Sequence, residues 1–110
     1  MSERIKKVNA LIRDEVSRIL QKEVDFDEGV FVTVVGADVS PTLEHAKIKV
    51  SVFPVENSEN VLRQINKEIF NIQQKLNKKL IMRKIPKIRF EIDMSEEYAS
   101  HVQELLDNAD

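Results

Sequence analysis

The sequence predicts a two-layer α+β domain, a three-stranded sheet with helices packed on one face, in the order α-β-β-α-β-α. Three observations predict it. Apolar residues recur at three- and four-residue steps over two long segments, they alternate at a period of two over three shorter ones, and the two kinds of segment follow one another without a linker or repeat. At 110 residues the chain has room for one such domain spanning 1–110.

The first helix is written by Ile5, Val8, Leu11, Ile12, Val16, Ile19 and Leu20, with Ser2 placed to cap it. Its period fades in the acidic stretch Asp25-Phe26-Asp27-Glu28-Gly29, where a turn is expected. From Val30 the spacing drops to two. Phe31 to Val35 is rich in β-branched and aromatic residues, Gly36 interrupts it as a bulge would, and Val39 closes it before a turn at Ser40-Pro41-Thr42. His45 to Phe53 then sets Ala46, Ile48, Val50 and Val52 against Lys47, Lys49 and Ser51, the pattern of a strand with one wet face. These two strands are expected to form an antiparallel hairpin.

Pro54 ends the hairpin, and a second, longer helix is expected to follow from Ser58. Its apolar stripe is Val61, Leu62, Ile65, Ile69, Ile72, Leu76 and Leu80, with Phe70 off it. Asn71, Lys75, Lys78, Lys79 and Met82 share a flank of the same wheel. Pro86 stops the helix or its trailing loop, and Lys87 to Asp93 alternates again, with Ile88, Phe90 and Ile92 inward. A last helix, frayed at its end, is expected over 95–107.

Charge is the most uneven property of this chain. Formal net charge is −2, yet the fifteen residues Lys75–Arg89 hold seven basic side chains and no acidic one, which leaves ten basic against nineteen acidic residues elsewhere. Such a stripe suits a polyanion or an acidic partner. Lys75, Lys78, Lys79, Arg83 and Lys84 are its strongest candidates for phosphate contact, whereas Lys87 and Arg89 could equally cover the wet face of the last strand. Arg4, Lys6 and Lys7 could extend the footprint or solubilise the first helix. Phe31, Phe53, Phe70 and Phe90 fall mostly at core positions, so phosphate contact and shape, rather than base stacking, are the expected mode.

Several function classes are disfavoured. The chain has no cysteine, so it has neither disulfides nor thiolate metal sites, and His45 and His101 lack a second ligand at metal spacing. No Walker loop, dinucleotide fingerprint or serine elbow is present. The carboxylates Asp25, Asp27, Glu28, Glu96 and Glu97 sit at helix boundaries with no nucleophile beside them. No cofactor, small-molecule substrate or enzymatic activity is expected. The amino terminus enters its amphipathic pattern without an apolar stretch, and a cytoplasmic protein with no membrane association is expected.

This order of elements and these residues resemble the ribosome-binding factor A family, whose fold is a type II KH-like domain. The resemblance rests on Arg4-Ile5 through Ile19-Leu20; on Val32-Thr33-Val34 to Val39-Ser40 with Leu43, Ala46 and Ile48 to Val52; on Leu80 to Phe90 with its Ile85-Pro86-Lys87-Ile88-Arg89-Phe90 ending; and on Glu104-Leu105-Leu106. It implies a bacterial assembly factor, a monomer, that binds the small ribosomal subunit through its ribosomal RNA and assists late maturation without covalent chemistry. Two departures stand out. Many members carry Asp-Pro-Arg after the first helix, where this chain has Asp25-Phe26-Asp27, and many carry a kink glycine in the long helix, where this chain has Glu68-Ile69-Phe70. A Gly-x-x-Gly clamp is impossible with only Gly29 and Gly36. The alternative function is a KH-like interaction module whose stripe meets an acidic protein. A peripheral membrane binder is weaker, because the apolar arc of the second helix is claimed by the sheet.

Overall fold

The computed structural model describes residues 3–94 together with Leu106 and Asp107. Helix α1 spans Glu3–Glu23 and buries Ile12, Val16, Ile19 and Leu20, residues that the helical repeat stacks on one side. The chain leaves the helix through Val24, whose N–H still donates to Leu20 O at 3.1 Å, and turns at Gly29, where φ is 83°. Glycine reaches that left-handed region at no steric cost.

Strand β1 (Phe31–Val39) and strand β2 (His45–Phe53) form the expected hairpin, paired antiparallel from Phe31 opposite Phe53 to Val39 opposite Ala46. The register shifts between Val34 and Gly36, so Val35 is the extra residue of a β-bulge. In the connecting turn the hydroxyl oxygen of Ser40 accepts from the N–H groups of Glu44 and His45, both at 3.2 Å. Leu43 holds φ at 62° there while its side chain packs against the core. A left-handed leucine is strained by about 1–3 kcal/mol, and that contact offsets it.

After a 3₁₀ turn at Val55–Asn57, the helical segment comes as two pieces, α2 (Ser58–Lys67) and α3 (Ile69–Lys79), rather than the one continuous helix expected. The break is at Glu68. Its N–H donates to Ile65 O, three residues back, while its own carbonyl accepts from Ile72 N, and its φ and ψ are −103° and 8°. Those angles lie in the bridge region, which any residue with a Cβ can enter, so the chain bends without a glycine. Val61 and Ile65 are buried before the break, Ile72 and Leu76 after it, and Phe70 is left 74% exposed.

Leu80 caps α3 in an extended conformation, so Met82, Arg83 and Lys84 lie in a loop and not on the helix. Strand β3 (Lys87–Ile92) then pairs parallel with β2, from His45 opposite Lys87 to Val50 opposite Ile92, giving the order β1-β2-β3. Parallel neighbours need a crossover, which α2 and α3 supply. Helices α1, α2 and α3 cover the sheet face that carries Ala46, Ile48, Val50, Val52, Ile88 and Phe90, and the core lies between those layers. Leu106 and Asp107 are helical; Ser2, His101 and the remainder of the helix expected over 95–107 lie outside the described residues.

Candidate nucleic-acid interface

Helices α1 and α3 run side by side on the sheet, and the contact is pinned at one end by Glu23. Its carboxylate accepts from Asn71 Nδ2 at 2.6 Å and pairs with Lys75 Nζ at 3.8 Å. Between the helices runs a groove lined by Glu15, Arg18, Ile19, Lys22, Glu23, Lys75 and Lys79. Four cations and two carboxylates therefore meet over a floor of Ile19. Arg18 lies 3.9 Å from Glu15, so each glutamate engages one cation. Among the described residues, no carboxylate comes within ion-pairing reach of Lys22 or Lys79.

Arg18 and Lys22 are the residues that the sequence did not single out. They belong to a longer row: Arg4, Lys7, Leu11, Arg18 and Lys22 follow at steps of three, four, seven and four, which keeps them on one flank of α1. From Lys7 to Lys22 that row runs about 22 Å at the helical rise. Lys6 is off it. Arg4, Lys6 and Lys7 are all exposed, as are Lys75, Lys78 and Lys79 on α3.

The basic stripe of the sequence is not one surface. Lys75, Lys78 and Lys79 belong to the helical layer, and Arg83 and Lys84 sit in the loop beyond it, where Lys84 Nζ lies 3.7 Å from Glu44. Ile81, in the same loop, is fully exposed. Lys87 and Arg89 are exposed on β3 while Ile88 and Phe90 beside them are buried, so the pleat turns these two cations to the sheet face opposite the helices. There Arg89 is paired with Lys47, and a depression at that end is lined by Asp38, Val39, Ser40, Pro41, His45, Ala46, Lys47 and Arg89.

Both halves are tied together by Gln73. From α3 its amide donates to Pro86 O at 3.1 Å and accepts from Ile88 N at 2.9 Å, satisfying backbone on the open edge of β3. At the other edge Asn9 Oδ1 accepts from Val39 N at 2.9 Å.

The aromatic residues differ from expectation on the two strands of the hairpin. Phe90 is buried, but Phe31 is 65% exposed, because Val32 and Val34 take the inward positions of β1 and parity sends Phe31 out. Its cross-strand partner is Phe53, half-buried on the same outer face.

Among the described residues there is no cluster of His, Cys, Asp or Glu that could hold a metal, and no helix is long and apolar enough to cross a membrane. What remains is a KH-like two-layer domain with cations gathered in the α1–α3 groove and on the outer face of the sheet. Comparison with known proteins makes the class specific. The family model for ribosome-binding factor A matches residues 4–106. The chain is 37% identical to ribosome-binding factor A of Rhodopirellula baltica over 96% of its length and 77% of that protein's, and 36% identical to that of Natranaerobius thermophilus over 94% and 79%. The crystal structure of ribosome-binding factor A from Thermus thermophilus superposes with a TM-score of 0.68 at 17% identity, covering 80% of this chain and 93% of that one. A homology model of the Thermus thermophilus protein, fitted into the cryo-EM map of a complex of 30S with ribosome-binding factor A, gives 0.57 at 21% identity, covering 74% and 90%. The chain belongs to the ribosome-binding factor A family.

Proposed function

We propose that this protein is a non-enzymatic assembly factor that binds the small ribosomal subunit through its ribosomal RNA and assists late maturation of that subunit, acting as a cytoplasmic monomer. The observation that carries the reading is the α1–α3 groove, where Lys22 and Lys79 line a cationic channel with no carboxylate partner among the described residues. Cations held on rigid helices and left unneutralised are ready to replace the counterions of a phosphate backbone. Arg4, Lys7, Arg18, Lys75 and Lys78 extend this grip, with Lys6, Arg83 and Lys84 beyond its ends; Lys87 and Arg89 contribute from the other face. The 30S complex with ribosome-binding factor A, into whose map the Thermus thermophilus coordinates were fitted, supports the choice of partner.

Binding by about five such contacts gives a log–log salt slope of roughly −3.5 to −4.5. The test is co-sedimentation of the tagged protein with ribosomal particles at rising salt, beside a variant with Lys22→Glu and Lys79→Glu. Association with free small subunits that fades with salt and is lost in the variant supports the reading. Binding that ignores salt and survives both reversals would overturn it.

A further inference from the structure

We propose that the outer face of the sheet is a second, separate binding site, and that its ligand is a single-stranded RNA segment. The inference rests on the reading of this protein as an RNA binder and adds to it a second surface and a different kind of RNA.

The register fixes what this face presents. At one end Phe31 lies directly opposite Phe53, so the two rings are neighbours across β1 and β2. Next comes the small polar pair Thr33 and Ser51, a low floor. Lys49 follows about 13 Å from Phe53, and Lys47 about 20 Å, at the rise of a strand. Lys47 stands between Asp38 and Arg89, and Lys49 between Gly36 and Glu91. Among the described residues, none of Lys47, Lys49, Lys87 and Arg89 has a carboxylate within ion-pairing reach, although Asp38 and Glu91 share the face. An aromatic pair at one end and a group of cations at the other is the pairing that single strands require: flat faces for bases and charge for the backbone between them.

Charge complementarity also decides between occupants. The turn that leads into Phe31 carries Asp25, Asp27 and Glu28, of which all three are exposed. A duplex presents phosphates along its whole length and would set some of them against those acids. A single strand can anchor its backbone at Lys47 and Arg89, follow the face past Lys49 for the roughly 20 Å to the other end, and there turn a base onto Phe31. An acidic peptide would use the cations and leave the rings idle.

The experiment measures fluorescence anisotropy of the full chain with two probes at fixed low salt, a short unstructured adenine-rich RNA and a blunt RNA duplex. Circular dichroism checks that each variant is folded. Phe31→Ala should weaken single-strand binding by about 5- to 150-fold, the range of one stacked base, and Lys47→Glu with Arg89→Glu should weaken it too, while both leave duplex binding changed by less than about twofold. Lys22→Glu with Lys79→Glu should do the reverse. If that groove variant removes both activities, there is one site, and this inference falls while the RNA reading stands. Single-strand affinity that is indifferent to Phe31→Ala overturns it too, and competition by polyglutamate in that case would assign the face to an acidic protein. A wild-type chain that binds neither probe would sink the RNA reading itself.

Discussion

The α1–α3 groove and the outer sheet face hold cations of the same kind in opposite ways. In the groove two of the four cations are paired, Arg18 by Glu15 three residues before it on α1 at 3.9 Å, and Lys75 by Glu23, which reaches across from α1 and also holds Asn71. On the sheet the neighbours come from register: Lys47 meets Arg89, forty-two positions away in the chain, and carboxylates alternate with cations without pairing. The two helices neutralise half of their groove cations; the strands set carboxylates beside theirs and leave them unpaired. The groove is thus a partly neutralised channel with an apolar floor, and the sheet face is a less tempered surface with an aromatic end.

The strongest way to break this contrast is to remove what both surfaces stand on. Ile48 is fully buried in the central strand, and Ile48→Ala should cost about 2–5 kcal/mol through lost transfer energy and the cavity left behind. Urea unfolding should then abolish duplex and single-strand binding at one shared midpoint. Two separate midpoints would mean that the surfaces belong to different cooperative units.

Gln73→Ala cuts the strap between them. With the N–H of Ile88 and the carbonyl of Pro86 deprived of their side-chain partner, stability should fall by about 1–3 kcal/mol. Hydrogen exchange at Ile88 should rise well before that of Val50, which lies in the central strand.

Glu23→Gln sharpens the comparison instead. Glutamine keeps an acceptor for Asn71 but removes the charge beside Lys75, so stability should change by less than about 1 kcal/mol. Duplex RNA should bind more tightly at low salt, with single-strand affinity unaltered. The smallest effect is expected at Lys84, whose pair with Glu44 at 3.7 Å is more than half exposed on both sides. Lys84→Ala should shift the unfolding free energy by no more than about 0.5 kcal/mol, measured by the same urea titration.

Much of this was legible in the residue pattern. The period of α1, the hairpin with its bulge and the alternation of β3 are local, and each appears where the spacing placed it. The concentration of charge in Lys75–Arg89 was equally plain. Its division between two faces was not, because whether Arg89 shares a side with Lys79 depends on how a parallel strand returns to the sheet. Arg18 and Lys22 were hidden for the same reason: nothing near them in sequence says that α3 lies alongside. Phe31 is expected at a core position of its strand, but Val32 and Val34 hold the inward positions there. The bend at Glu68 leaves no compositional mark, since its angles are open to every residue.

Val35 sets the phase of β1. Were it threaded into regular pairing, every later residue of β1 would be turned over, sending Asp38 into the apolar layer and Val39 to water. Looping it out restores the phase, so the strand reads as two correctly alternating halves joined by a spacer one residue long. The sheet can therefore lose that residue without changing which side chains lie on either surface.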